Sequence, residues 1–245
     1  MKIIGIIPSR YASTRFPAKS LAVIQGKSMI QRVYEQAQQS SALNTVIVAT
    51  DHQEIYTHVR KFGGQVCMTR ADHVSGTDRC FEALGHQHNK YDYIINIQGD
   101  EPFIQPGQID LLAGQLDGVT EIATLVKALQ TEEQLFNPNV VKVVLSTTME
   151  ALYFSRSPIP HIRSTPESEW LTRHKFYKHI GMYAYRSDVL ERLTRLSVSS
   201  LEKAESLEQL RWLQYGFRIR VAETLTETIG IDTPDDLQKA IDALK

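Results

Sequence analysis

Short apolar runs recur through the first hundred residues, each closing on polar residues. They are Ile3-Ile4-Gly5-Ile6-Ile7, Thr45-Val46-Ile47-Val48-Ala49-Thr50, Gln65-Val66-Cys67-Met68 and the stretch 91–97. A short run that stays apolar at successive positions predicts a strand buried on both faces, as inside a parallel sheet. Between the runs the spacing changes to that of helices. Residues 27–40 place Met29, Ile30, Val33, Tyr34 and Ala37 on one face. Asp51 is a suitable cap for a helix reaching Phe62, which Gly63-Gly64 would end. The polar stretch 69–78 leads into a further helix through His86. This alternation predicts an α/β fold: a three-layer, mostly parallel sheet with helices on both faces.

The second half is less regular. Residues 121–129 and 139–145 read as strands, and 151–160 is aromatic and then punctuated by Pro158 and Pro160. The polar segment up to Lys175 reads as an irregular excursion, and 177–186 as a strand. Leucines at 201, 207, 210 and 213 predict one helix over 200–215, and 218–222 is a last strand. Thr233 as N-cap, Pro234 in the first turn and Asp236 three residues past the cap mark a final helix start. The expected division is a core of residues 1–150 and 201–245, with a smaller insertion over about 151–200.

Composition narrows the function classes. The 245 residues are 42% hydrophobic and 22% charged, ordinary for a soluble enzyme. Lys+Arg 27 against Asp+Glu 28 leaves a formal charge of -1, so no global field favours nucleic acid or an anionic membrane. Cys67 and Cys80 fit neither a metal spacing nor a disulfide framework. No apolar run approaches a membrane span, and the opening run stops at Pro8-Ser9-Arg10, too short for a secretion signal. A cytoplasmic protein is expected.

Three loops, each after an expected strand, hold the candidate chemistry, and in open α/β sheets such loops converge at the carboxyl edge. The first, 10–19, has three cations (Arg10, Arg15, Lys19) and three hydroxyls, suited to a polyphosphate, and fits neither the P-loop nor the dinucleotide pattern. The second, 70–77, has Arg70 and the run Ser75-Gly76-Thr77; it reads equally as a helix cap with its lead-in. The third, Gln98-Gly99-Asp100-Glu101-Pro102, suits Mg2+ or a simple turn, and Asp232 could add a second carboxylate or merely cap its helix. His179 and Tyr183 share a strand face across Gly181, as a polar pocket wall or as a satisfied buried histidine. Glu208-Gln209 would by default face solvent. Cations, then hydroxyls, then a metal-type acid are together what a nucleoside-triphosphate transferase requires.

The runs that carry these loops resemble the 3-deoxy-manno-octulosonate cytidylyltransferase (CMP-Kdo synthetase) family. They include Ile-Pro-Ser-Arg-Tyr-Ala-Ser-Thr-Arg-Phe-Pro-Ala-Lys-Ser-Leu (7–21), Val-Ala-Thr-Asp (48–51) and Asn-Ile-Gln-Gly-Asp-Glu-Pro (96–102). Others are 66–79, 136–144, 151–156, 179–186, 207–211 and 230–237, in order over nearly the whole chain. Ala18 and Ser20 stand where the family usually has Gly and Pro, and 161–175 matches least.

The resemblance implies a Rossmann-like nucleotidyltransferase with a smaller dimerisation subdomain, acting as a homodimer. Its implied reaction moves CMP from CTP to the anomeric hydroxyl of Kdo with Mg2+, releasing pyrophosphate for use of the product in lipopolysaccharide synthesis. A related acid, 8-amino-Kdo or sialic acid, is the alternative acceptor, and a non-catalytic nucleotide-sugar binder the alternative class. By resemblance Arg10, Ser13, Thr14, Arg15 and Lys19 grip the triphosphate, and Arg70, Ser75, Thr77 and Gln98 line the ribose and cytosine side. Asp100 and Asp232 hold the metal, and Arg10, Lys19, Asp100 and Asp232 form the catalytic set. Gln98, Arg156, His179, Tyr183, Glu208 and Gln209 form the sugar pocket.

Overall fold

The computed structural model of the chain describes residues 1–12, 16–226 and 230–242. The first half runs β1 (Ile3–Ser9), a small hairpin of β2 (Val23–Ile24) and β3 (Lys27–Ser28), α1 (Met29–Gln38), β4 (Thr45–Thr50) and α2 (Gln53–Lys61). β5 (Val66–Met68), α3 (Gly76–Gly85), β6 (Tyr93–Asn96), α4 (Pro106–Ala113) and β7 (Ile122–Ala128) follow. The second half has α5 (Glu132–Phe136), β8 (Lys142–Leu145), β9 (Ala151–Ser155), α6 (Trp170–Arg173), β10 (Tyr177–Arg186) and α7 (Ser187–Thr194). It ends with α8 (Ser200–Glu205), α9 (Glu208–Gln214), β11 (Ile219–Glu223) and α10 (Pro234–Asp242).

Among the described residues nine strands form one sheet, with β11-β7-β10-β6-β1-β4-β5 in order and β8-β9 attached to β10. β1 pairs in parallel with β4 and β6, β4 with β5, and β11 with β7. β10 runs antiparallel to β6, β7 and β8, so it is a reversed strand within the seven-strand main path, whose other six strands point one way. The expected mostly parallel α/β sheet is present.

Two apolar clusters make the layers. Ile7, Val48 and Ile95 on one sheet face pack with Ile30, Val33, Ile55, Val59, Ile109 and Leu112 from α1, α2 and α4. Ile4, Ile6, Ile94 and Tyr185 on the other face pack with Cys80, Ala83, Val189, Leu190, Leu210 and Trp212 from α3, α7 and α9. The five expected α1 positions, Met29, Ile30, Val33, Tyr34 and Ala37, are all buried. Both cysteines are free, and desolvation raises their thiol pKa values, Cys67 to about 11.

Several sequence expectations change. His52, not Asp51, caps α2: its Nδ1 accepts from the Glu54 amide, while Asp51 is drawn into the site described below. The leucine-rich stretch is two helices, because Ser206 between them has φ 52° and ψ 48°, a left-handed conformation that ends α8. The turn presents Gln209 to the interior, where it is buried, and Glu208 is half-buried. Neither is the solvated face expected for them. The stretch 151–200 is also divided: β10 lies at the centre of the main sheet, whereas α6 and Phe176 join a separate small cluster with Leu129 and Leu135. The polar excursion to Lys175 contains one short helix. The final helix begins as expected, with Thr233 Oγ1 accepting from the Asp236 amide and Asp236 accepting from the Thr233 amide.

Candidate active site

Because β1, β4, β5 and β6 all point one way, the loops that leave them share one edge of the sheet. A cleft of about 470 Å³ opens there. Its wall takes Pro8, Ser9, Arg10, Lys19 and Ser20 from the first loop, His73, Val74, Ser75, Gly76 and Arg79 from the second, and Gln98, Gly99 and Asp100 from the third, with Asp232 beside them.

Lys19 joins these segments. Its ammonium lies 2.7 Å from Asp100 Oδ2 and 2.9 Å from Asp232 Oδ1, and it donates to the Ile231 carbonyl at 3.3 Å. The Ile231 amide donates to the Asp100 carbonyl at 2.9 Å, which fixes the two acidic segments to each other. Desolvation alone would lower the Lys19 pKa; the two carboxylates outweigh it and raise the pKa above its ordinary value. Lys19 is therefore charged at any physiological pH.

The loop geometry explains several small residues. A Cβ on Gly99 would come within 3.1 Å of the Pro8 carbonyl, so the third loop can lie against the first only with glycine there. Ser9 and Ser20 hydroxyls bond at 2.8 Å, closing the base of the first loop. Ala18 has φ 55° and ψ 24°, a region that favours glycine. Ser75 caps α3 by accepting from the Asp78 amide, which leaves the helix N-terminus facing the cleft.

A buried arginine holds the first two loops in register. Arg79 Nη2 lies 2.8 Å from Asp51 Oδ2, Nη1 donates to Thr69 Oγ1 at 2.6 Å, and the side chain is 4% exposed. Asp51 Oδ1 in turn accepts from the Tyr11 amide at 3.3 Å, and the Tyr11 ring stacks on His52 at 3.7 Å. Neither Arg79 nor Asp51 was expected from the sequence to be part of the site. The available signal was spacing: Arg79 is four residues after Ser75, on the same side of the first helical turn.

Beyond β6 the reversed strand β10 adds a second wall. Gln98 Nε2 donates to the Gly181 carbonyl at 2.8 Å, which carries the cleft onto β10. His179 Nε2 lies 3.1 Å from Thr124 Oγ1, and its ring meets Phe154 edge-on at 5.2 Å and Tyr183 at 5.1 Å. Desolvation lowers the His179 pKa to about 3, so the imidazole is neutral at neutral pH. The Tyr183 hydroxyl is buried and unpartnered among the described residues, as are Asn96 Oδ1 and the Tyr185 hydroxyl. Glu208 Oε2 accepts from Thr77 Oγ1 at 2.9 Å, and desolvation raises its pKa.

The sequence-derived residues thus divide. Arg10, Lys19, Ser75, Gln98, Asp100 and Asp232 line one cleft; His179 and Tyr183 adjoin it through Gly181 and Gln98. Thr77 is buried and turned to Glu208. Arg70 is outside the cleft wall: its guanidinium is 70% exposed and pairs with Asp72. Arg156 is also elsewhere, donating to the carbonyls of Glu205, Pro138 and Ser206. Ser13, Thr14 and Arg15 lie outside the described residues.

Comparisons with known proteins agree in scope. The sequence profile of a family described as cytidylyltransferase matches residues 4–224. A 3-deoxy-manno-octulosonate cytidylyltransferase of Parabacteroides distasonis is 58% identical, over 98% of this chain and 97% of its own. Its counterpart in Cytophaga hutchinsonii is 55% identical over 97% of this chain and 95% of its own. Among solved structures, a CMP:2-keto-3-deoxy-manno-octonic acid synthetase complexed with CTP superposes with a TM-score of 0.92 at 43% identity, covering 100% and 98% of the two chains. A cytidylyltransferase of Leptospira borgpetersenii, 16% identical with a TM-score of 0.63, shares the fold.

The depressed His179 pKa gives a pH prediction. Between its ordinary 6.5 and about 3, the unfolded chain binds a proton that the folded chain refuses. Folding stability contributed by His179 is therefore complete above about 6.5 and is lost as pH falls through that window. Urea-unfolding curves of the wild type and His179→Gln should converge as pH falls from 7 to 4.5. Parallel pH dependence of the two would refute the neutral, desolvated imidazole.

Proposed function

The chain belongs to the 3-deoxy-manno-octulosonate cytidylyltransferase family, and from that premise we propose how its own residues carry out the reaction. It is a nucleotidyltransferase that moves CMP from CTP to 3-deoxy-manno-octulosonate, releasing pyrophosphate. The observation that carries the reading is the meeting of Lys19, Asp100 and Asp232 in one cleft at the carboxyl edge of β1 and β6.

In this reaction the acceptor's anomeric oxygen forms a bond to the α-phosphorus while the bond to the pyrophosphate oxygen breaks. Little covalent help is needed, so the protein's work is positioning and charge stabilisation. Arg10 and Lys19 place positive charge along the first loop, where the departing pyrophosphate gains negative charge. Backbone amides at the start of α3, beside Ser75, and the Gln98 side chain form the opposite wall. Tyr183, with a buried unpartnered hydroxyl, and neutral His179 offer hydrogen-bonding groups to a polyhydroxylated acid.

Asp100 and Asp232 fit Mg2+, which takes one or two carboxylates and completes its shell with phosphate and water oxygens. Their shared ion pairs with Lys19 bring the two carboxylates together in the cleft. When bound, the ion would neutralise phosphate charge and increase the acidity of the attacking hydroxyl. The homodimer reading rests on the outer strands. β9 pairs only with β8 and carries Leu152 at 60% exposure, beside a groove lined by Val144, Leu145, Ile159 and Pro160. No helix among the described residues is long and apolar enough to cross a membrane.

A pyrophosphate-release assay pairing CTP, UTP or ATP with 3-deoxy-manno-octulosonate, its 8-amino form or sialic acid should respond to CTP with the first acid. No release from any pair would overturn the reaction. Asp100→Asn should cut turnover by roughly 10²–10³-fold, the scale of a lost electrostatic contact in a transition state, with an unchanged circular dichroism spectrum. Near-normal Mg2+-dependent turnover in that variant would remove Asp100 from the metal site. Light scattering should give twice the monomer mass, and Leu152→Glu should reduce it; a monomeric wild type would sink the dimer.

A further inference from the structure

The register between β10 and β7 slips between Ile180 and Tyr183, a bulge beside the cleft. A bulge turns main-chain carbonyls away from the ladder, and here one side chain collects them. Thr124, fully buried on β7, has its hydroxyl 2.8 Å from the Met182 carbonyl, 3.2 Å from the Ile180 carbonyl and 3.1 Å from His179 Nε2. The intervening Gly181 carbonyl accepts from Gln98 instead.

Proton counting decides who donates. A threonine hydroxyl has one hydrogen and two lone pairs, and a carbonyl oxygen can only accept. The hydrogen must therefore serve the carbonyls of the bulge, with Met182 the shorter contact. What remains for His179 is a lone pair on Oγ1, so Nε2 must bring the hydrogen. A neutral imidazole protonated on Nε2 has an unprotonated Nδ1, and Nδ1 takes no hydrogen bond from any described residue.

We propose that Thr124 is a positioning residue of the acceptor side: by spending its only proton on the β10 bulge, it locks His179 as the Nε2–H tautomer and presents Nδ1 as a pure hydrogen-bond acceptor for a hydroxyl of the polyhydroxylated acid. The acceptor role rests on the function proposed above; the tautomer does not. Thr124 touches no substrate in this assignment. It acts through His179, and it also holds the bulge whose Gly181 carbonyl orients Gln98.

The test uses the full-length protein labelled with 15N at histidine, with Thr124→Val (same shape, no hydroxyl) and Thr124→Ser (hydroxyl kept). Two-bond 1H–15N correlation spectra of the wild type without substrates at pH 7.5 should show His179 protonated on Nε2 alone. Thr124→Val should populate the Nδ1–H form and raise the KM for 3-deoxy-manno-octulosonate about five- to tenfold, the scale of one lost hydrogen bond. The KM for CTP should stay within about twofold of wild type, and Thr124→Ser should restore both the tautomer and the acceptor KM. A wild-type His179 protonated on Nδ1, a reading that needs no variant to fold, overturns the proposal, as does a Thr124→Val protein with the wild-type tautomer. A changed tautomer with an unmoved acceptor KM would remove His179 from the acceptor site and overturn that role alone.

Discussion

The bond network at Lys19 holds together parts of the chain that are far apart in sequence. Its ammonium reaches across 81 residues to Asp100 and 213 to Asp232, so the first loop, the third loop and the segment before α10 share one counter-ion. Such an arrangement is costly without its partners. An ammonium that is 17% exposed beside a single carboxylate would leave charge poorly solvated, and removing either acid unbalances the rest. The segment just before α10 is there to bring Asp232 to this point, and the capping box at Thr233 and Asp236 holds the turn that aims it.

The sheet supplies the rest of the geometry through one irregularity. Six strands of the main path run the same way, and the loops after β1, β4, β5 and β6 gather at one edge in the manner of any open α/β sheet. β10 runs the other way between β6 and β7, so its amino-terminal half arrives at the same edge without needing a loop. Residues on a strand are held more rigidly than residues on a loop. His179 and Tyr183 are thus fixed by ladder bonds, while Lys19 and Asp100 are carried on loops tied by ion pairs. The bulge is where these two modes of support meet, since Gln98 from a loop and Thr124 from a strand divide its carbonyls between them.

Much of this was legible in the residues, for identifiable reasons. β4 and β10 were placed to the residue, because their apolar runs end in polar residues with strong preferences of their own. The α1 face and the α10 cap followed from spacing alone. Lys19, Asp100 and Asp232 were recognisable as chemistry meeting at one sheet edge, but the direct Lys19 ion pairs to both acids were not, since nothing local sets that contact. Asp51 shows the limit from the other side. Its residue type and position were right for a helix cap, yet a buried arginine from α3 offered a stronger interaction, and His52 took over the cap. Arg70 and Arg156 have partners nearby that residue type alone does not reveal, Asp72 for one and helix-end carbonyls for the other. The left-handed Ser206 split a helix that leucine spacing joined, because one residue's backbone angle leaves no mark on the hydrophobic pattern.

Charge distribution reconciles the near-neutral composition with a polyanionic ligand. With a formal charge of -1 overall, attraction of a triphosphate cannot come from the field of the whole molecule. It must come from cations held at one place with their own counter-ions limited. Arg79 illustrates the distinction: it lines the cleft, but its guanidinium is consumed by Asp51 and Thr69, so it supports the wall without adding free charge. Lys19 likewise is held by Asp100 and Asp232, so its charge stands at the cleft together with its counter-ions.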